Sequence, residues 1–335
     1  MTRPNLFANA KSELTQDAVL CWLLSWADSS NAELDPDLHL TGRDLLAALL
    51  GAHGHEAPGP ETSVRAERQV KRIDVVAWIG DEYILGIEDK TTTGPHSNQL
   101  ERYRVALETM SKGRTVVPVY VKTGERNEDE HVRSRGWEVF GRAQLLDVLR
   151  RAADRGVKND IVSEFHAWLD SKEQEATAWR RLPTTDPWPW ASWQGFYGAL
   201  EGLMPGTQHL GWDYVANPAG GFLAMWWGFF PIGTDERLYL QLQQSTLAIR
   251  VKVPSKDLRR ELSREWSRRI LEAGPGAGWP LRRPKRLGSG KYMAIAYWDD
   301  WRATDENGVA DPEATASRLQ RLSAWLAEQS SMATR

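Results

Sequence analysis

Three charged residues on two neighbouring segments have the types and spacing of a divalent-metal site. Asp74 lies in the apolar run 72–79, and Glu88 and Lys90 lie in the next run, Tyr83–Lys90. An aspartate in an apolar strand is costly unless it is paired or bound to a metal. Side chains two residues apart share one face of a strand, so Glu88 and Lys90 point the same way. Mg²⁺ prefers carboxylate oxygens, and a neighbouring ammonium group can orient a water and offset phosphate charge.

The same three residues also have a simpler interpretation. Opposite charges on neighbouring strands commonly form a surface ion pair, which contributes only about 0–1 kcal/mol to stability. The metal site requires that the two runs pair through the short turn at 80–82, so that Asp74 meets Glu88 and Lys90 at one end of a hairpin. The residues by themselves leave both interpretations open.

Helices and strands surround these residues in the order α-(α)-β-β-β-α-β. Helices are predicted at 12–27, at 41–51 and from Pro95 onward, because apolar residues recur there at helical spacing. Strands are predicted at 63–70, 72–79, 83–90, 115–121 and 137–140, followed by helices at 142–153 and 158–179. Glu13 then lies in the first turn of the first helix, where the helix dipole also stabilises a carboxylate. Gln99 and Tyr103 lie one turn apart on the third helix, as surface and core residues ordinarily do.

This arrangement resembles the PD-(D/E)XK nuclease superfamily. The core of that family is αβββαβ, with a glutamate on the first helix, an aspartate on the second strand, Glu-x-Lys on the third strand and often a glutamine on the following helix. The chain supplies Glu13, Asp74, the triplet Glu88-Asp89-Lys90, and Gln99. Ile73 stands where the family's name has a proline. The resemblance covers about residues 1–150 and implies an α/β fold with a restriction-endonuclease-like αβββαβ core.

The resemblance implies a bound Mg²⁺ or Mn²⁺ ion. Its ligands would be Asp74, Glu88 and the backbone carbonyl of Asp89, and Lys90 would position or deprotonate the attacking water. Glu13 would bind a metal-bound water or a second ion.

The family implies one reaction, the in-line hydrolysis of a phosphodiester. Gln99 would steady the site or the phosphate during that step. The implied substrate is DNA, in defence against phage or, second, in DNA repair. The alternative from another class is a non-catalytic nucleic-acid-binding or sensor protein that keeps the nuclease fold. A Mg²⁺ enzyme acting on nucleotides or RNA is a further alternative.

A second domain is predicted from the distribution of tryptophan. Eleven of the seventeen tryptophans follow residue 186, and three prolines interrupt the segment 182–190. We therefore expect a nuclease-like domain at 1–182 and a Trp-rich α+β domain at 190–335. Its strands are predicted at 211–217, 222–230, 236–243, 246–253 and 292–298, and its helices at 256–273 and 313–329.

Aromatic and basic residues of the second half are candidates for nucleic-acid or partner binding. Most tryptophans are expected to fill the core, but Trp226 and Trp227 are adjacent, so only one of them can face a one-sided core. The loop around 281–290 is basic and could bind a phosphate backbone. The residues predicted to contact nucleic acid are Arg72, Arg282, Arg283, Lys285 and Arg286. A solvated charged face is the competing interpretation.

Composition excludes several classes of protein. The formal charge of -3 excludes a globally basic nucleic-acid binder, and one cysteine excludes an internal disulfide and a Cys-rich zinc site. No apolar run approaches the roughly 18–20 residues that span a bilayer, and no signal peptide is recognisable. We therefore expect a cytoplasmic protein that does not act at a membrane, and the family resemblance implies nucleic acid, foremost DNA, as its partner. A homodimer or a protein partner is left open.

Overall fold

A computed structural model shows a mixed α/β protein and describes residues 5–10, 12–91, 94–95, 98–125, 129–217 and 220–333. These residues form ten α-helices and two five-stranded sheets. The chain divides into two compact units, Met1–Gln174 (unit 1) and Glu175–Arg335 (unit 2). The proline-rich segment predicted as the boundary follows the start of unit 2. None of the described helices is both long and apolar enough to cross a membrane.

Unit 1 contains seven helices and one sheet. The helices are α1 (Leu6–Asn9), α2 (Ser12–Trp26), α3 (Pro36–Gly51), α4 (Gln99–Met110), α5 (Asp129–Arg133), α6 (Arg142–Asp154) and α7 (Asp160–Ala176). The strands are β1 (Val64–Val70), β2 (Ile73–Ile79), β3 (Tyr83–Lys90), β4 (Thr115–Lys122) and β5 (Glu138–Gly141).

The sheet of unit 1 has the order β1-β2-β3-β4-β5. The first three strands are antiparallel, and Ile79 pairs with Tyr83 across the short turn predicted between them. β3, β4 and β5 are parallel, and α4 makes the crossover that a parallel pair requires. Both faces are buried, which explains the nearly continuous apolar sequence of β2 and β4.

Two helices of unit 1 begin at residues other than those predicted. α3 begins at Pro36 and not at residue 41, because the Asp35 side chain accepts from Leu38 N–H as an N-cap and proline is favoured in the first turn. α4 begins at Gln99, after Asn98, and not at Pro95. The predicted positions 96 and 97 lie outside the described residues.

Unit 2 contains three helices and an antiparallel sheet. Its elements are α8 (Trp190–Leu203), β6 (Gly211–Val215), β7 (Phe222–Pro231), β8 (Arg237–Gln243), β9 (Thr246–Lys252), α9 (Arg259–Ala273), β10 (Tyr292–Asp299) and α10 (Pro312–Ala333). The strand order is β10-β9-β8-β7-β6. α8 was not predicted, because it follows a run of prolines and contains three glycines and several aromatic residues, which all lower helix propensity.

The core of unit 2 lies on one face of its sheet. Side chains of α8, α9 and α10 pack there in one apolar cluster, represented by Phe196, Trp266 and Leu322. Trp227 is fully buried in that cluster, whereas Trp226 is only partly buried. The expectation that only one of the two adjacent tryptophans faces the core is confirmed.

Candidate metal centre

The hairpin of β2 and β3 brings the predicted acidic residues together at one end of the sheet of unit 1. The Asp74 carboxylate accepts a hydrogen bond from the backbone N–H of Asp89 at 2.8 Å. On β3, the Lys90 ammonium forms an ion pair with Glu88 Oε1. The same oxygen accepts a hydrogen bond from Gln99 Nε2 at 2.7 Å. Asp74, Glu88, Lys90 and Gln99 are therefore linked through direct contacts on neighbouring elements.

Close packing between α4 and β3 places Gln99 beside Glu88. Gly86 of β3 lies under Leu107 of α4, and a Cβ atom at residue 86 would lie 2.4 Å from the Leu107 side chain. The missing side chain thus lets the helix approach the sheet. Tyr103, one turn after Gln99, is buried as expected, and its hydroxyl oxygen accepts from Gln99 Nε2 at 3.2 Å.

Glu88 is a buried carboxylate with incomplete hydrogen bonding. Its side chain is fully buried, and Oε2 has no partner among the described residues. Burial raises the pKa of Glu88 to about 7, and the negative charge of Asp74 adds to the increase. The ion pair with Lys90 opposes this shift without cancelling it. Glu88 is therefore half-ionised near neutral pH.

Lys90 makes a second contact that bears on metal binding. Besides its ion pair with Glu88, its ammonium group donates to the backbone carbonyl of Asp89 at 3.2 Å. The ammonium therefore contacts two of the three predicted metal ligands. Burial alone would lower the pKa of Lys90, but the hydrogen bond and charge of Glu88, together with the charges of Asp74 and Glu13, outweigh burial and raise it. Lys90 is a cation in this arrangement.

Glu13 lies at the edge of the same cluster. Its carboxylate accepts from the backbone N–H of Thr91, the residue after Lys90, at 3.4 Å. α2 is held in this position by Arg68 of β1, which donates to Asp17 and to the Leu14 carbonyl. All five residues predicted for catalysis thus lie on elements that meet at the end of β3.

The Asp89 side chain belongs to a buried network that the sequence did not reveal. Strand alternation turns it away from Glu88 and Lys90, and its Oδ1 accepts from Gln16 Nε2 of α2. Gln16 Oε1 in turn accepts from Thr123 at 2.8 Å. Burial raises the pKa of Asp89 well above its usual range. Only the backbone carbonyl of Asp89 is therefore suited to the predicted metal, and the side chain fixes that carbonyl in place.

A second missed residue supports Asp74. Gln69 Nε2 donates to Asp74 Oδ1 at 3.1 Å, so both carboxylate oxygens accept one hydrogen bond. In the sequence, a glutamine on the apolar side of α2 could have drawn attention to Gln16, which is buried in the structure. No comparable pattern distinguishes Gln69 on the exposed strand β1.

The donor set is suited to a hard cation. The Asp74 carboxylate, the orphaned Glu88 Oε2 and the Asp89 carbonyl supply oxygen only, and Mg²⁺ binds through one or two carboxylates while keeping several waters. Within the described ranges, no group of three or more His, Cys, Asp or Glu side chains is arranged as a metal site.

Arg72 lies on a strained turn beside the cluster. Lys71 and Arg72 connect β1 to β2, both are exposed, and their φ angles are +52° and +71°. Asn-Gly is preferred at such positions, because other residues are strained there. The turn presents two cations two and three residues before Asp74.

The other residues predicted to bind nucleic acid lie in unit 2. Arg282 donates to Asp299 at 2.9 Å, and its backbone pairs with Tyr297 of β10. Arg283, Lys285 and Arg286 follow as exposed side chains. They form a basic surface at the edge of the second sheet.

Comparison of the chain with protein-family models, curated proteins and solved structures found no match. The family resemblance therefore remains a prediction.

Proposed function

We propose that unit 1 is a metal-dependent phosphodiesterase of the PD-(D/E)XK type, with a restriction-endonuclease-like core, and that it cleaves nucleic acid, foremost DNA. One observation carries this proposal. Glu88 is fully buried against Lys90 and Gln99, keeps one oxygen without a partner among the described residues, and lies on β3, which pairs with the strand that carries Asp74. The strand order and the crossover helix α4 agree with the αβββαβ core.

The charge balance of the cluster supports a cation as cofactor. The charge of Asp74 raises the pKa of Glu88 in spite of Lys90, so the two ionised carboxylates carry a negative charge that this ammonium does not fully balance. Such a charge is costly in a buried site unless it is paired or coordinates a metal. Asp74, Glu88 and the Asp89 carbonyl would hold Mg²⁺ or Mn²⁺, which would supply Lewis-acid stabilisation of the reacting phosphate.

Lys90 acts in this proposal as a cationic donor. Because its pKa is raised, it keeps its proton at neutral pH, so it orients the attacking water and stabilises negative charge on the phosphate. Gln99 holds Glu88 Oε1 by a hydrogen bond and leaves Oε2 available. Glu13 lies close enough to the end of β3 to hold a further water.

The turn before Asp74 supplies substrate contacts. Lys71 and Arg72 are exposed there and can neutralise backbone phosphates, which would position the strand without reading its sequence. The strain of the turn is consistent with a functional constraint on its geometry.

Cleavage assays with a matched pair of aspartate variants test the proposal. Plasmid, linear duplex, single-stranded DNA and RNA are incubated with Mg²⁺ or Mn²⁺ and the full-length chain, with Asp74→Ala and with Asp81→Ala. Asp81 is an exposed aspartate on the turn at the far end of β2, where it forms an ion pair with Arg114. We expect about 100-fold or slower cleavage by Asp74→Ala and an unchanged rate for Asp81→Ala. Metal binding without cleavage of any substrate would instead indicate a non-catalytic protein on this fold.

A further inference from the structure

The sheet of unit 2 has a second face that carries aromatic and basic side chains. Among the described residues of unit 2, the core residues of α8, α9 and α10 all pack against the other face. Strand alternation and register assign the following residues to the second face, here called the open face. They include Phe222, Trp226, Arg237, Tyr239, Gln241, Gln243, Ala248, Arg250, Lys252, Tyr292 and Tyr297, together with the acidic residues Asp213 and Asp299. On this face Tyr292 is exposed and Phe222, Trp226 and Tyr297 are partly exposed, whereas Tyr239, Gln241 and Ala248 are buried. Exposed and partly exposed aromatic rings on one face of a sheet indicate a binding surface.

Trp226 is placed over the edge strand of the open face. It pairs with Gly211 of β6, and its indole atoms lie 3.5 Å from the position that a Cβ of Gly211 would occupy. A Cβ atom there would make an ordinary van der Waals contact, so the indole lies directly over the neighbouring strand. Trp226 remains partly exposed there, whereas its neighbour Trp227 is fully buried on the other face.

A row of aromatic rings crosses the open face on β7, β8 and β10. Phe229 and Tyr239 are stacked, with centroids 4.8 Å apart and an interplanar angle of 4°. Tyr292 meets Tyr239 edge-on at 6.3 Å, and 48% of Tyr292 is exposed. Arg250 lies between these strands, where it donates to Gln241 at 2.6 Å and to the Tyr292 carbonyl at 3.1 Å. These contacts hold Tyr292 in place as an exposed ring.

Positive charge accompanies the rings. Lys252 lies on the same face, and the exposed Lys291 places its ammonium 5.6 Å from the Tyr292 ring. The exposed residues Arg283, Lys285 and Arg286 begin at the same edge of the sheet, because Arg282 pairs with Tyr297 of β10. This cationic surface belongs to a chain whose formal net charge is -3.

We propose that the open face binds single-stranded nucleic acid. Unpaired bases would stack on Tyr292 and Trp226, and the phosphate backbone would follow Lys252, Lys291 and the basic loop. Aromatic rings accept any base and cations follow the backbone, which is how sequence-tolerant single-strand binding is achieved. A duplex keeps its bases stacked inside, so it offers only its phosphates to such a surface. This binding is a property of unit 2 and does not depend on hydrolysis by unit 1.

Fluorescence anisotropy with the full-length chain tests the proposal. The probes are labelled 20-nucleotide oligo(dT), oligo(rU) and a DNA duplex, in EDTA so that cleavage does not interfere. We expect both single strands to bind more tightly than the duplex, and the ratio of the two affinities tells DNA from RNA. Tyr292→Ala should weaken single-strand binding at least about five-fold, whereas Tyr292→Phe should bind as the wild type does.

Tyr214 provides a matched control. It is 49% exposed and also lies in an edge strand, β6, but it pairs with the core residue Leu223, which places it on the helix-covered side. Tyr214→Ala should leave single-strand affinity within about two-fold of wild type. Equal losses in Tyr292→Ala and Tyr214→Ala would overturn the proposal. So would equal affinity for the single strands and the duplex.

The salt dependence of binding tests whether Lys252 and Lys291 contact the phosphate backbone. Lys252→Gln with Lys291→Gln should lower the slope of log affinity against log salt, whereas Arg264→Gln, on the exposed side of α9, should not change it. Asp74→Ala should abolish cleavage and leave this binding intact, so failure of one proposal is distinguishable from failure of the other. The proposal would be refuted if the wild type binds no oligonucleotide and instead forms a concentration-dependent dimer that Tyr292→Ala disrupts. That result would show that a second copy of the chain occupies the open face.

Discussion

The raised pKa of Glu88 predicts that metal binding depends strongly on pH. A cation and a proton compete for this carboxylate, whose pKa of about 7 compares with an ordinary value of 4.5. From that pKa, about one tenth of Glu88 is ionised at pH 6 and about nine tenths at pH 8. Mn²⁺ binding should therefore be about ten-fold weaker at pH 6 than at pH 8.

Isothermal titration calorimetry measures both the affinity and the protons released. Titrations in buffers of different ionisation enthalpy should give about 0.9 protons released per Mn²⁺ at pH 6 and about 0.1 at pH 8. Glu88→Gln should remove this release, whereas Glu108→Gln, an exposed residue of α4, should retain it. Equal affinity at the two pH values, without proton release, would refute the assignment of Glu88 as a buried ligand.

The same pKa determines the sign of the stability change without metal. The pKa of Glu88 is higher in the folded chain than in the unfolded chain, so its contribution to stability is complete below about pH 4.5 and is lost as the pH rises through about 7. Urea denaturation at intervals of pH should show this loss in the wild type and a smaller one in Glu88→Gln. A wild-type profile that coincides with that of the variant would contradict the burial of the Glu88 carboxylate.

Three further predictions follow from particular contacts. Gln99→Leu removes a hydrogen-bond donor that stabilises the ionised form of Glu88. The pH midpoint of Mn²⁺ binding, measured by calorimetry, should therefore rise, and an unchanged midpoint would count against this role of Gln99. Lys71→Asn with Arg72→Gly relieves two strained φ angles and should stabilise the fold by about 1 kcal/mol in urea denaturation, while weakening DNA binding; a destabilised variant would disprove the strain. Phe196→Ala should cost about 3–5 kcal/mol of unfolding free energy, because the ring is fully buried in unit 2, and a loss below about 1 kcal/mol would be inconsistent with that burial.

The elements that hold the acidic cluster were predictable because their signals are local. Apolar runs separated by the turn at 80–82 indicate β2 and β3, and the two-residue spacing of Glu88 and Lys90 places both on one face. The start of α3 at Pro36 was also encoded locally, by Asp35 as N-cap, but the apolar pattern obscured it. Strand and helix signals therefore sufficed for the positions of Asp74, Glu88 and Lys90.

Contacts between distant residues were not predictable in the same way. Gln16 meets Asp89 across 73 residues, and Thr123 meets Gln16 across 107, so no short-range pattern relates them. The turn at Lys71 and Arg72 adopts positive φ with residues that do not favour it, and only the surrounding sheet imposes that conformation. These are tertiary effects, and they set the details of the site that determine its chemistry.

Single-turnover cleavage of a labelled DNA, with wild type and Lys90→Ala purified side by side, tests hydrolysis by unit 1 most directly. We expect the wild type to cleave DNA in Mg²⁺ or Mn²⁺ and not in EDTA. Lys90→Ala should cleave about 100-fold more slowly, because the ammonium group beside Glu88 is lost. Equal rates for the two proteins, or a wild type that cleaves no DNA with either metal, would contradict the proposed hydrolysis.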